Sequence, residues 1–275
     1  MTLRNILVHV AEDARCPDRV ALACELATKN DSMVTGLFAR PYPIIVPAMP
    51  PGGAVTVVED LDEVYDASSA RTKKAFEDLS AAKGVRVRWL SDQGETDECL
   101  AFHARYSDLI VVGQWSPDDP AECGTVDLGG AVALGAGRPV LILPYAGTFS
   151  TEWKRIMVAW DSSRAATRAV HDALAFMKAA DQVDVVCVDA DQSEGRDPGA
   201  DIAAHLAQHG ITAKAHHMTR GSLTTAETLN SAASDMDSQL LVMGAYGHTR
   251  LTEIVFGGVT RNLLQHMTLP ILMSH

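Results

Sequence analysis

The chain has 275 residues, 47% of them hydrophobic and 21% charged, and a formal net charge of −12. That length admits one large domain or two of ordinary size. The acidic balance, with no Lys- or Arg-rich run, argues against a nucleic-acid partner, which a basic face would mark. Five cysteines, Cys16, Cys24, Cys99, Cys123 and Cys187, show no CxxC spacing. No apolar run approaches the roughly 18 residues of a membrane span, and no signal-peptide core precedes the first strand pattern. The expectation is a cytoplasmic protein with reduced thiols and no membrane partner.

In chain order, Ile6 to Val10 reads as a strand, Asp18 to Lys29 as a helix with Val20, Leu22, Ala23 and Leu26 on its apolar side, and Met33 to Phe38 as a second strand. A Pro- and Gly-rich apolar loop follows from Pro41, and a long charged helix runs from Glu59 to Ala82. Strand Val85 to Leu90, a helix near Asp97 to Arg105, strand Asp108 to Val112, a helix near Leu128 to Leu134 and strand Val140 to Leu143 close the first half. Strands alternating with helices at this spacing predict parallel sheet with helices on both faces.

The second half repeats the order. Strand Arg155 to Trp160 precedes helix Ser163 to Met177, whose Ala166, Val170, Ala173, Leu174 and Met177 form one stripe. Strand Val183 to Val188, helix Asp201 to His209 and strand Ile211 to Met218 follow. Thr224 to Glu227 opens a helix with capping-box spacing, and strands Leu240 to Met243 and Leu269 to Met273 frame a glycine-rich stretch. The repeat can be counted: Gly113 to Pro139 and Gly244 to Pro270 are both 26 residues. The offset between halves is 131 there and 150 at Ile6 against Ile156, a difference of 19 that matches the Pro41 to Glu59 insertion. Two equivalent domains, residues 1–146 and 152–275, are expected rather than one large sheet, with the boundary between Tyr145 and Trp153.

The halves differ in their glycines. Gly113 faces Gly244, but Ser116 faces Gly247, Val126 faces Gly257 and Asp127 faces Gly258. Asp161 follows the first strand of the second half, where the first half has Ala11. Glycine lets backbone approach an anion, and the free N–H groups of a helix start point at it. A carboxylate at Asp127 would repel a phosphate. One working site in the second half and one vestigial copy is the economical reading.

Gly244-x2-Gly247-x9-Gly257, followed by Gly258-Val259-Thr260, resembles the nucleotide-binding signature of the universal stress protein family. That family usually has Ser or Thr after the last glycine; here Gly258 takes that place, so a hydroxyl contact is missing. The resemblance covers nearly the whole chain as a tandem pair. It implies an α/β fold of two tandem Rossmann-like, adenine-nucleotide alpha-hydrolase-like domains, each a five-stranded parallel sheet with helices on both faces, packed as an intramolecular pseudo-dimer; a homodimer of whole chains is a further expectation. It also implies ATP with Mg2+. Asp161 and the backbone at Gly244 would hold the ribose, Ala159 and Val188 would flank the adenine, and Gly247, Gly257, Gly258, Val259 and Thr260 would surround the phosphates. These positions lie at the carboxyl ends of strands, where open α/β sheets bind ligands.

Each motif also has a plainer reading. The glycines could serve a turn and close helix–sheet packing, and Asp161 could cap a helix. Arg250, Arg261 and His248 could reach phosphates or simply be solvated. His205 and His209 have the i, i+4 spacing of a zinc-chelating pair, but no third ligand is evident in the sequence. His216 and His217 on a strand point to opposite faces and cannot chelate together. The apolar loop from Ile44 to Val58 is expected to make contacts within the molecule or between subunits. No P-loop, complete GxGxxG, GxSxG or HExxH motif is present, so ATP hydrolysis, if any, is expected to be slow. Three functional readings stand: an ATP-binding regulatory protein of the stress response with one site in the second half; a nucleotide-free stress-associated interaction protein; and a nucleotide-dependent transferase or flavin-binding protein of related fold.

Overall fold

The computed structural model of the protein describes residues 3–42, 57–116, 127–189, 197–246 and 258–275. The first half runs β1 (Asn5–His9), α1 (Cys16–Asn30), β2 (Met33–Arg40), α2 (Val57–Ala82), β3 (Arg86–Gln93), α3 (Thr96–Ala104), β4 (Leu109–Gly113), α4 (Leu128–Ala136) and β5 (Val140–Leu143). The second runs β6 (Arg155–Ala159), α5 (Arg164–Ala179), β7 (Gln182–Val188), α6 (Pro198–Gln208), β8 (Ala213–Met218), α7 (Thr225–Asp235), β9 (Leu240–Gly244), α8 (Gly258–His266) and β10 (Ile271–Ser274). The expected elements are all present, with ends moved by a few residues. Helix α6 shows why: it starts at Pro198, ahead of the predicted Asp201, because the Asp197 carboxylate accepts the Ala200 N–H and proline at the first turn has no donor to satisfy. Thr224 and Glu227 form the reciprocal capping box at α7.

Each half is a five-stranded parallel sheet, and the two are joined edge to edge into one sheet of order β3-β2-β1-β4-β5-β10-β9-β6-β7-β8. The two repeated halves thus share one large sheet, contrary to the expectation from sequence, because β5 and β10 pair at their edges. The central strands β1, β4, β6 and β9 are covered on both faces, which is why they read as unbroken apolar runs. Helices α1, α2, α5 and α6 cover one face and α3, α4, α7 and α8 the other, and each core runs through both halves.

The join is antiparallel: Ile271 pairs with Ile142, Leu272 with Leu141 and Met273 with Val140. Since Leu141 and Leu272 are counterparts at the 131-residue offset, the pseudo-two-fold axis passes through that pair. Side-chain bonds reinforce it. The buried Gln114 donates from Nε2 to the Leu264 and Gln265 carbonyls at 2.8 and 3.1 Å, and its Oε1 accepts the Tyr145 N–H at 3.0 Å. It thereby satisfies carbonyls at the end of α8, which no further helical turn can reach.

Polar groups fill the carboxyl end of the first-half sheet. Arg19 is 1% exposed, pairs through both terminal nitrogens with the Asp13 carboxylate, and donates from Nε to the His9 carbonyl at 3.1 Å. A Cβ on Gly113 would stand 2.7 Å from Arg19 Nη1, so glycine is needed there to admit the guanidinium. Desolvation, and then the Arg19 charge, push the His9 imidazole down to about 3 from 6.5. Asp13 is also held below the usual carboxylate range: its bond to Arg19, with that charge, outweighs the larger single effect of burial, which acts upward.

Two expectations follow from these contacts. Gln114→Ala strands the carbonyls at the end of α8 and should cost about 1–3 kcal/mol in urea unfolding; an unchanged midpoint would remove Gln114 from the seam's stability. The acid response comes from His9. Its folded pKa lies below its unfolded one, so the unfolded chain binds the extra proton between them. Stability is complete above pH 6.5 and drains as pH falls toward 3, with a slope of up to about 1.4 kcal/mol per pH unit. Asp13 adds a loss of the same sign at lower pH. His9→Gln should flatten the slope between roughly pH 6.5 and 4.5, and an equally steep profile would refute the assignment.

Candidate functional site

The carboxyl ends of β6, β7 and β9 meet the starts of α7 and α8 around a cleft of about 180 Å3. Six of the residues singled out from the sequence line it: Ala159, Asp161, Val188, Gly244, Val259 and Thr260. Gly258 is the first residue of α8 and adjoins it. Gly247 and Gly257 lie outside the described residues, as do His248, Arg250, Val126, Cys123 and most of the apolar loop from Pro41 to Val58. Sequence reasoning missed Trp160, Val186, Thr225, Leu229 and Met243, which complete the lining. Their signal is the alternation on β7 and β9 and the apolar stripe of α7. It marks them as inward-facing without saying that a cleft opens there.

The walls are apolar and the rim is polar. Val186, Val188, Met243 and Leu229 belong to or pack on the core of the α7–α8 face. Asp161 is exposed, and its Oδ1 accepts the Ser163 N–H at 2.9 Å. Ser163 in turn caps α5 by accepting the Ala166 N–H. The local turn needs Ser162 at φ 62°; it fixes Asp161 at the rim and leaves Oδ2 outside that bond. Asp161 thus both supports a cap and faces the cleft. Gly244 has a packing reason for being glycine: a Cβ would stand 2.4 Å from the Ala166 nitrogen and 2.7 Å from the Ala165 carbonyl carbon. Helix α5 closes down on the strand end because no side chain intervenes. At Gly258 no described atom lies within 4 Å of where a Cβ would stand.

The segment between β9 and α8 starts from a fixed point. Tyr246 adopts φ 52°, a conformation that costs a bulky residue energy. Two bonds hold it there. Its N–H donates to Thr260 Oγ1 at 3.3 Å, and its hydroxyl donates to Asp127 Oδ2 across the seam. The Asp127 carboxylate also caps α4, accepting the Gly130 N–H at 3.2 Å. Gly130 must lack a side chain, since a Cβ would stand 2.7 Å from the Tyr246 hydroxyl. Burial raises the Asp127 pKa, against the Tyr246 and Gly130 bonds and the Arg261 charge.

The two halves differ most at the strand ends. At the 150-residue offset His9 stands where Ala159 lines the cleft, and at the 131-residue offset Asp127 stands where α8 begins with Gly258. The other sequence motifs resolve as follows. His216 bonds Asp184 at 2.8 Å and His217 bonds Asp197 at 3.0 Å, so the adjacent pair does point apart. Cys16, Cys24, Cys99 and Cys187 are free and buried; burial raises each thiol, Cys187 to about 11. No helix among the described residues is long and apolar enough to cross a membrane.

The profile of the Universal stress protein family matches residues 152–275. A universal stress protein from Archaeoglobus fulgidus DSM 4304 superposes with a TM-score of 0.72 at 14% identity, covering 98% of this chain and 95% of that one. A functionally unknown protein from Pseudomonas aeruginosa PAO1 gives 0.58 at 15% identity, covering 99% and 92%, and a putative universal stress protein from Pseudomonas aeruginosa UCBPP-PA14 gives 0.56 at 14%, covering 99% and 93%. At such identities the structural likeness speaks for the fold. No match is found among curated proteins. Residues 152–275 thus match the Universal stress protein family, and the chain carries two tandem copies of the fold.

Proposed function

We propose that the second half binds an adenine nucleotide, ATP with Mg2+, and that the protein acts as a nucleotide-responsive binding or regulatory protein in the stress response. The observation that carries this reading is the gathering of Ala159, Asp161, Val188, Gly244, Val259 and Thr260 around one cleft, although they come from three strand ends and a helix start far apart in sequence. The apolar walls suit a purine face, and the rim carboxylate of Asp161 suits ribose hydroxyls. A cleft of about 180 Å3 is smaller than the roughly 300–1,000 Å3 of sites that enclose a whole drug-sized ligand. It fits the nucleoside part. The phosphates then fall to the stretch from Gly247 to Gly257 and to the start of α8, whose N–H groups favour anions. Mg2+ would neutralise phosphate charge in a protein of net charge −12. Thr260 supports the cradle by holding the Tyr246 N–H.

One observation favours the second reading, a nucleotide-free interaction protein: Gly258 offers no hydroxyl where the family resemblance calls for one. The same position supplies a test. Among the described residues no atom occupies the space above Gly258, so Gly258→Ser should leave folding intact and tighten ATP–Mg2+ binding several-fold, by about 1 kcal/mol for one added hydrogen bond. Equal affinity in calorimetry would mean that no phosphate approaches this residue.

The broader test is thermal. ATP–Mg2+, ADP or AMP should raise the melting temperature, FMN should not, and Gly247→Asp should abolish the shift. Asp161→Ala should weaken binding about tenfold, equivalent to about 1.4 kcal/mol. No shift with any adenine nucleotide would sink the proposal, and a shift with FMN alone would favour the flavin-binding reading.

A further inference from the structure

On the opposite face of the sheet, three histidines of the second half meet between helices α5 and α6. The sequence pairs His205 with His209 one helical turn apart; the fold supplies the third, His171 on α5. Their ring centroids lie 4.9 Å apart for His205 and His209, 5.4 Å for His171 and His205, and 6.1 Å for His171 and His209. Three imidazoles on one tetrahedral ion, with metal–nitrogen bonds of about 2.0–2.1 Å, place their centroids about 5 Å apart. The observed spacing is therefore that of a three-histidine set with modest slack.

A second observation points the same way. His205 Nε2 is buried and has no hydrogen-bond partner among the described residues, a state that costs free energy unless something takes the lone pair or the proton. His216 and His217, by contrast, are each bonded to a carboxylate. As the side chains stand, no group of three His, Cys, Asp or Glu among the described residues could hold a metal ion, so an ion here requires the rings to turn. Rotation about χ2 turns an imidazole while leaving its centroid almost in place, so the separations that are set by the two helices already suit an ion.

We propose that His171, His205 and His209 form a site for one divalent transition ion of the Zn2+ class, with the fourth position open to water. Imidazole is the common protein ligand for such ions. Bound there, the ion would tie α5 to α6. The site is separated from the cleft by the sheet and does not depend on the nucleotide reading.

The test uses the full chain, stripped of metal by chelator and dialysed, with no nucleotide present. Zn2+ titrated against a chromogenic competitor should bind at one equivalent per chain and raise the melting temperature. Co2+ should give the intense visible absorption of a four-coordinate ion. His171→Gln and His205→Gln should each weaken Zn2+ binding at least about tenfold. His171 is exposed, so its variant should melt like the parent chain in EDTA, and a loss of metal can then be separated from a loss of fold. Absence of stoichiometric Zn2+ binding would overturn the proposal. So would undiminished binding in His171→Gln, which would reduce the site to an ordinary pair on one helix.

Discussion

The antiparallel pairing of β5 with β10 is the constraint on which the rest of this molecule hangs. A five-stranded parallel sheet ends in an open edge, and an unpaired apolar edge is a liability. β5 and β10 are each four residues long and buried throughout, so neither could stand at a free edge as it is. Pairing them removes both edges and merges two cores into layers that run through the whole chain. It also brings α4 against α8. The bonds that Gln114 and Asp127 make into the second half follow from that proximity.

What each half does with the shared frame differs by a few side chains. In the second half a small residue, Ala159, ends the first strand, and the space beyond it stays open. In the first half His9 ends that strand and a buried Arg19–Asp13 pair lies below Gly113. Removing one member of a buried pair leaves an uncompensated charge and is strongly destabilising, so these residues are now tied to one another and to stability. At the start of α4, Asp127 anchors Tyr246 of the other half.

Much of this was legible in the sequence, for identifiable reasons. Strands covered on both faces are continuous apolar runs, and α5 and α7 carry cap residues whose bonding follows from spacing alone. The two 26-residue intervals exposed the repeat, and Gly244 and Asp161 line the cleft. What escaped depends on contacts between segments distant in sequence. Edge pairing of β5 and β10 leaves no local mark, since a buried four-residue strand reads alike whichever neighbour it has. His171 lies 34 residues before His205, and only the right-handed crossover that sets α5 beside α6 makes them neighbours. Gly244 carried two readings, a ligand-facing glycine and close helix–sheet packing, and its close approach to α5 meets the second.

The Tyr246–Asp127 bond has a consequence for how such a pair of folds can diverge. In an assembly of two identical subunits, any contact across the axis is made twice, and every residue must serve on both sides. Here the mirror-image partners would be Trp115 and Gly258, which cannot form that bond. Joining the halves in one chain released them from the obligation to match. One copy could turn its cradle into a fixed mooring while the other kept its cleft open. The mooring is always present at high effective concentration, so the bond does not depend on how much of the protein a cell contains.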